Sequence, residues 1–270
     1  MNRNPLQLVG WAYCLLLVIF LFLPVMIMVP ASFSPSEALS FPPTDLSLRW
    51  YQEVLSSGEW LSSAWLSAKI GFLAALVATI AGLSVGLAHF RYGKVKSSTR
   101  AFLLLPMVAP HIVLATGLFS MLLYIQQLGS GILLAFAHAC LALPLTVIVF
   151  IAAFEGVDPL LWTAASSLGG RWPKIIREIV LPNVAGAVVI SLLLAFISSW
   201  DEVTLSVFVG PTIIPTLPSR MFGYLQELIS PSLTAIATLL MALTIFLGCL
   251  SLLVQRARRR RTEPARVESL

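Results

Sequence analysis

Six runs of about 20 mostly apolar residues follow one another along the chain, at 8–29, 70–90, 101–125, 131–154, 184–209 and 235–254. Each is long enough to cross a hydrocarbon core as a helix. No stretch alternates apolar with polar residues in units of about ten, which argues against a β-barrel. The pattern predicts an all-α integral membrane protein with six transmembrane helices in a single domain over 1–270. A polar loop at 155–182 separates the fourth and fifth runs, and a basic tail at 255–270 follows the sixth.

Smaller patterns refine this picture. The first run is too long for the apolar core of a secretory signal, and "MVPASFSPS" is a poor cleavage site, so it is read as a helix. Gly82 and Gly86 form a G-x-x-x-G step with Ala78 on the same face, which predicts close packing on another helix of this chain or of a partner. Pro106, Pro110 and Pro144 remove backbone donors within the third and fourth runs, as happens where helices bend around a cavity. Between the first two runs, "SLRWYQEVL" at 47–55 predicts a short helix with Leu48, Tyr51 and Leu55 on one face. Trp50, Trp60 and Trp65 suit an interfacial belt.

Composition agrees: 58% of the 270 residues are hydrophobic and 11% are charged, far from a soluble domain. With a cytoplasmic N-terminus, fourteen of the 17 Lys and Arg fall on the inner side: Arg3, then Arg91, Lys94, Lys96 and Arg100, then Arg171, Lys174 and Arg177, then Arg256, Arg258, Arg259, Arg260, Arg261 and Arg266. Only Arg49, Lys69 and Arg220 fall outside. That asymmetry predicts a multi-pass protein with both termini cytoplasmic. The net charge of +5 is then a topology signal, and "RARRRR" is read as an orientation and anionic-lipid signal, with no nucleic-acid partner expected. Cys14, Cys140 and Cys249 lie inside runs, where inert packing is expected.

The loop at 155–182 is the polar exception. Asp158-Pro159 is a helix start, since Asp accepts from free amides and Pro suits the first helical position. "PLLWTAASSL" then stops at Gly169-Gly170. A second helix is expected from Pro173 to Val180, with Arg171, Lys174 and Arg177 on a polar side and Ile175, Ile176 and Ile179 toward the bilayer, before Leu181-Pro182 turns the chain into the fifth run. An ordinary amphipathic loop, a lipid-binding helix and a docking site for a soluble partner all fit these residues.

Asp201 and Glu202 are the acids inside the six runs. Asp201 lies nineteen residues beyond Pro182, about 28 Å along a helix, in the outer part of the core. Intramembrane carboxylates are costly and face cavities or partners; beside Trp200 they could hold an ammonium by charge pairing and cation–π attraction. The structural alternative is pairing with Lys69 or Arg220, or capping a helix end. His89, His111 and His138 lie on three runs at different depths with no H-x-x-x-H pair, so no metal site is expected.

The loop resembles the coupling loop of the membrane subunits of ABC importers, in which E-A-A, three residues, Gly, nine residues, Ile, one residue and Leu-Pro recur. Ala164, Ala165, Gly169, Ile179, Leu181 and Pro182 stand at those positions, while Thr163 replaces the Glu. The missing carboxylate puts any salt-bridge part of docking in doubt and leaves the shape-based part. "SLRWYQEV", "LLLPMVAPHIVLATGL", "SWDEVTLSVFV" and "TLPSRMFGYLQELISPSLTAIATLL" are similar to the second permease subunit of spermidine/putrescine-type importers. The resemblance implies the type I ABC importer permease fold in a bacterial inner membrane, with a cytoplasmic coupling helix. It implies a second homologous permease, two copies of a cytoplasmic ATPase subunit that bind ATP and Mg, and an extracytoplasmic substrate-binding protein that delivers a polyamine, another amine or an amino-acid derivative.

This chain is expected to hold no cofactor and to catalyse nothing. Its nearest approach to a phosphate-binding loop, "AHFRYGKV" at 88–95, has Ala88 in place of the first Gly and Val95 in place of Ser or Thr. A secondary transporter would show an inverted repeat and a midmembrane ion site. A membrane-embedded hydrolase would show a nucleophile and base on facing helices. Neither pattern is present in the sequence.

Overall fold

The computed structural model describes residues 5–37, 41–43, 45–93, 96–227 and 231–262, and every regular element among them is helical. In chain order these are α1 (Pro5–Ala31), α2 (Arg49–Ser56), α3 (Gly58–Tyr92), α4 (Ser97–Val108), α5 (His111–Tyr124), α6 (Gly131–Glu155), α7 (Pro159–Ser167), α8 (Trp172–Ile175), a π-helical turn (Ile176–Val180), α9 (Leu181–Trp200), α10 (Thr204–Val209), α11 (Leu217–Glu227) and α12 (Pro231–Thr262). Among the described residues, four stretches are long and apolar enough to cross a membrane: Val9–Ala31, Gly58–Tyr92, Gly131–Glu155 and Trp172–Trp200. The bent pair α4–α5 supplies a fifth, and Pro231–Phe246 of α12 is a shorter apolar stretch. Arg3, Lys94, Arg266 and the last eight residues of the tail expected at 255–270 lie outside the described residues.

Two of the six runs depart from single helices. The third breaks at Ala109-Pro110, where α4 and α5 meet at 91°. Pro110 forces Ala109 out of the helical region, to φ −69° and ψ 135°, whereas Pro106 is accommodated inside α4. The helix of the fifth run ends at Trp200 rather than 209; Asp201 is its C-terminal cap residue and α10 restarts at Thr204.

By Cα packing the chain divides into two compact units, 1–61 with 221–243, and 62–220 with 244–270. In the first, α2 exists and buries Trp50 and Val54; of the expected face, Tyr51 is half-buried against Phe33 while Leu48 and Leu55 are exposed. Trp50 Nε1 donates to the Ser34 carbonyl at 2.8 Å, and the Trp60 ring packs 4.9 Å from Tyr224. Both indoles are therefore core residues, and of the three expected in an aromatic belt only Trp65, in the second unit, is exposed.

In the second unit α6 is the central helix. Gly82 and Gly86 of α3 lie against it: a Cβ on Gly82 would come within 2.7 Å of Thr146 Cβ, and one on Gly86 within 2.7 Å of Phe150 Cβ. The small-residue face thus packs within the chain, and Thr146 Oγ1 donates across the seam to the Ala78 carbonyl at 2.9 Å. Ala74, Ala75, Ala78, Ala139, Ala142 and Ala195 continue the close approach among α3, α6 and α9, the backbone proximity that apolar surroundings demand where burial alone gives no driving force. The cysteines do not pack as expected: Cys14, Cys140 and Cys249 are exposed on the chain.

Candidate coupling loop and acidic site

The loop is built as two helices around a glycine stop. Asp158 Oδ1 accepts from the Leu160 amide at 2.9 Å and Pro159 takes the first turn of α7, so the expected helix start is present. At the other end Gly169 adopts φ +79°; its amide bonds the Ser166 carbonyl at 3.0 Å, and the Gly170 amide bonds the Ala165 carbonyl at 3.0 Å. This is a Schellman stop, which needs the left-handed residue that Gly supplies without strain. A Cβ on Gly170 would lie 2.7 Å from the Ala165 oxygen, so both glycines are required.

Beyond Arg171, the N-terminal cap residue of α8, the chain does not turn at Leu181-Pro182. It runs unbroken from Trp172 to Trp200, with Leu181 at φ −60° and ψ −42°. Pro182 has no N–H for the carbonyl four residues back and its ring crowds that carbonyl. The ladder widens into the π turn immediately before it instead of breaking. Asn183 Nδ2 meets the Ile179 carbonyl at 2.8 Å.

The isoleucines face protein rather than bilayer. Ile175 is buried with Phe150, Phe154, Trp162, Val180 and Val184, and Ile176 and Ile179 pack against the same cluster. Fixing the loop to the end of α6 in this way leaves Thr163, Ala164, Arg171, Lys174 and Pro182 exposed and Ala165 and Leu181 half-buried. Leu168 is 89% exposed. Between α7 and the following helix lies a groove of about 270 Å³ lined by Ala165, Leu168, Gly169, Gly170, Lys174, Ile175, Glu178 and Ile179. The motif positions Ala165, Gly169 and Ile179 thus line one concave surface.

At the far end of the same continuous helix, the two acids have different surroundings. Glu202 is buried: Oε1 accepts from the Leu205 amide at 3.0 Å, capping α10, and Oε2 lies 3.1 Å from His111 Nδ1. Asp201 is exposed, and its carboxylate makes no hydrogen bond or ion pair among the described residues. Trp200 is buried and stacked on Phe196 at 5.4 Å, so one face of its ring is occupied. Lys69 reaches the Trp65 ring, 5.3 Å from its centroid, and Arg220 Nε donates to Ser63 Oγ at 2.7 Å.

His111 is the residue that sequence reasoning missed. It starts α5 just beyond the 91° break, and its pairing with Glu202 ties that break to the one between α9 and α10. His138 meets Ser199 Oγ through Nδ1 at 2.7 Å. An apolar cleft of about 310 Å³ among α5, α6 and α10, lined in part by Cys140 and Leu205, includes neither acid.

Comparison with known proteins places this architecture. The family model described as binding-protein-dependent transport system inner membrane component matches residues 78–261. The spermidine/putrescine transport system permease protein PotC of Haemophilus influenzae is 32% identical over 94% of this chain and 96% of its own. The putrescine transport system permease protein PotI of Escherichia coli is 29% identical over 97% and 96%. Among solved structures, a chain of the bacterial alginate ABC transporter, in complex with alginate pentasaccharide-bound periplasmic protein, superposes with a TM-score of 0.66. It is 15% identical, over 95% of this chain and 96% of that one. The two-helix loop against the end of α6 and the family match over more than half of the sequence lead to one conclusion: the chain belongs to the inner membrane components of binding-protein-dependent transport systems, as a non-catalytic, multi-pass ABC importer permease subunit.

Proposed function

We propose that this permease moves a polyamine, putrescine or spermidine, delivered by an extracytoplasmic binding protein, and that it works with a second homologous permease and two copies of a cytoplasmic ATPase that bind ATP and Mg. The observation that carries the substrate class is the near full-length similarity to permeases whose names specify spermidine and putrescine. The termini and the loop at 155–182 face the cytoplasm, in keeping with the distribution of Lys and Arg. Asp158, Thr163, Ala164, Ala165, Gly169, Arg171, Lys174, Ile179, Leu181 and Pro182 form or frame the surface that the ATPase grips, and the groove beside Gly169 receives part of it.

In the pathway, Asp201 is the carboxylate left to meet an ammonium group, because Glu202 is already engaged by His111 and α10. Trp200 supports the site from within rather than touching cargo. The test is uptake of labelled putrescine and spermidine by cells lacking other polyamine importers, with and without this gene and with an ATPase-inactive partner. Uptake that requires both the gene and the ATPase supports the reading, and Asp201→Asn then lowers uptake while leaving the complex assembled. Uptake indifferent to the gene removes polyamines as the cargo.

A further inference from the structure

Where α3 ends, its last residues meet the loop. Phe90 packs 5.3 Å from Phe154 of α6 and 6.3 Å from Trp162 of α7, and Trp162 meets Trp172 of α8 edge-on at 5.1 Å. Four helices therefore converge on one aromatic cluster. The Arg91 guanidinium lies over it, 5.4 Å from the Trp162 ring centroid, 6.0 Å from Trp172 and 5.5 Å from Tyr92. A planar cation stacks on indole faces in a way that a hydrated ammonium matches only in part.

We propose that Arg91 is a positioning residue that couples the loop to α3, so that movement imposed on α7 and α8 is passed to the α3–α6 pair. The geometry carries this. Arg91 belongs to the span whose Gly82 and Gly86 are pressed against α6, while its charge rests on the indoles of both loop helices. The Phe90–Trp162 contact between α3 and the loop is apolar and slides more readily than a cation resting on two indoles. The inference rests on the reading that the ATPase grips this loop.

The test uses the full complex in proteoliposomes, with three readouts: ATPase retained on the permease, ATP hydrolysed, and cargo taken up per ATP. Two cation–indole contacts bias an arrangement by roughly tenfold together. Arg91→Ala is therefore expected to keep the ATPase bound and hydrolysing while uptake per ATP falls several-fold. Arg91→Lys recovers a large part of the loss, and adding Trp172→Leu to Arg91→Ala causes no further fall. Unchanged uptake per ATP in Arg91→Ala overturns the proposal, and so does equal loss in the Ala and Lys variants. Loss of bound ATPase in Arg91→Ala also overturns it, since Arg91 would then shape the docking surface rather than transmit its motion. Failure of the underlying reading is separate: there the ATPase stays bound and coupled when Gly169→Val disrupts the loop.

Discussion

Gly82→Ala adds a single methyl group at the closest approach of α3 and α6. The new Cβ would stand 2.7 Å from Thr146 Cβ and 2.9 Å from the Thr146 backbone carbon. Carbon contacts relax near 3.5–4.0 Å, so the helices must separate by roughly 1 Å, because backbone cannot swing aside as a side-chain end can. Overpacking of this kind costs about 1–3 kcal/mol. The separation also stretches the Thr146–Ala78 bond of 2.9 Å, worth about 1 kcal/mol. Replacing a helical Gly by Ala returns about 0.5–1 kcal/mol, which leaves a net loss of roughly 1–3 kcal/mol. Gly186→Ala in α9 is the control: nothing lies within 4 Å of its added Cβ, so only the favourable propensity remains. The assay is thermal unfolding of the purified permease in detergent, followed by tryptophan fluorescence. Gly82→Ala unfolding at the temperature of wild type, or above Gly186→Ala, would refute the claim that this seam sets the α3–α6 distance.

Gly169→Ala places a side chain at φ +79°, a strain of about 1–2 kcal/mol; the expected result is faster proteolysis at the loop and weaker retention of the ATPase on affinity purification. Glu202→Ala removes both the α10 cap and the His111 partner. It should lower stability by about 2 kcal/mol, against a smaller loss for Glu202→Gln, which keeps an acceptor for Leu205; equal losses in thermal unfolding would show that the cap is not what matters. Thr163→Glu restores the carboxylate of the family motif on an exposed helix face. A surface ion pair of about 0.3–1 kcal/mol should strengthen ATPase association two- to fivefold in a binding titration at low salt, with the gain fading as salt is raised.

Length and hydropathy made the spans legible, because a bilayer imposes one simple requirement on a helix. The loop's start and stop were legible for a different reason: Asp158-Pro159 and Gly169-Gly170 act through backbone chemistry that needs no tertiary context. What lay beyond reach depended on neighbours far along the chain. α2 turned Trp50 and Val54 inward because the Ser34 carbonyl stands ready for the indole N–H, 16 residues away. The isoleucines of the loop met Phe150 and Phe154 instead of lipid, which periodicity cannot distinguish, since both are apolar. The burial of Glu202 depended on His111, ninety-one residues earlier, and on the helix break before Thr204. Pro182 misled in the opposite way: it reads as a turn, yet a π-helical turn absorbs it.

The unbroken course from Trp172 to Trp200 makes the second half of the loop and the fifth span a single lever. Twenty-nine residues extend about 42 Å, with the groove beside Gly169 at one end and the Asp201 carboxylate just past the other. A rod of that length tilted by about 10° about its centre moves each tip by roughly 4 Å in opposite directions. Were Leu181-Pro182 a hinge, the same push would be spent in flexing the joint. Because the π-helical turn keeps the rod whole, a push on its loop end arrives at the acidic end as displacement, with its direction inverted.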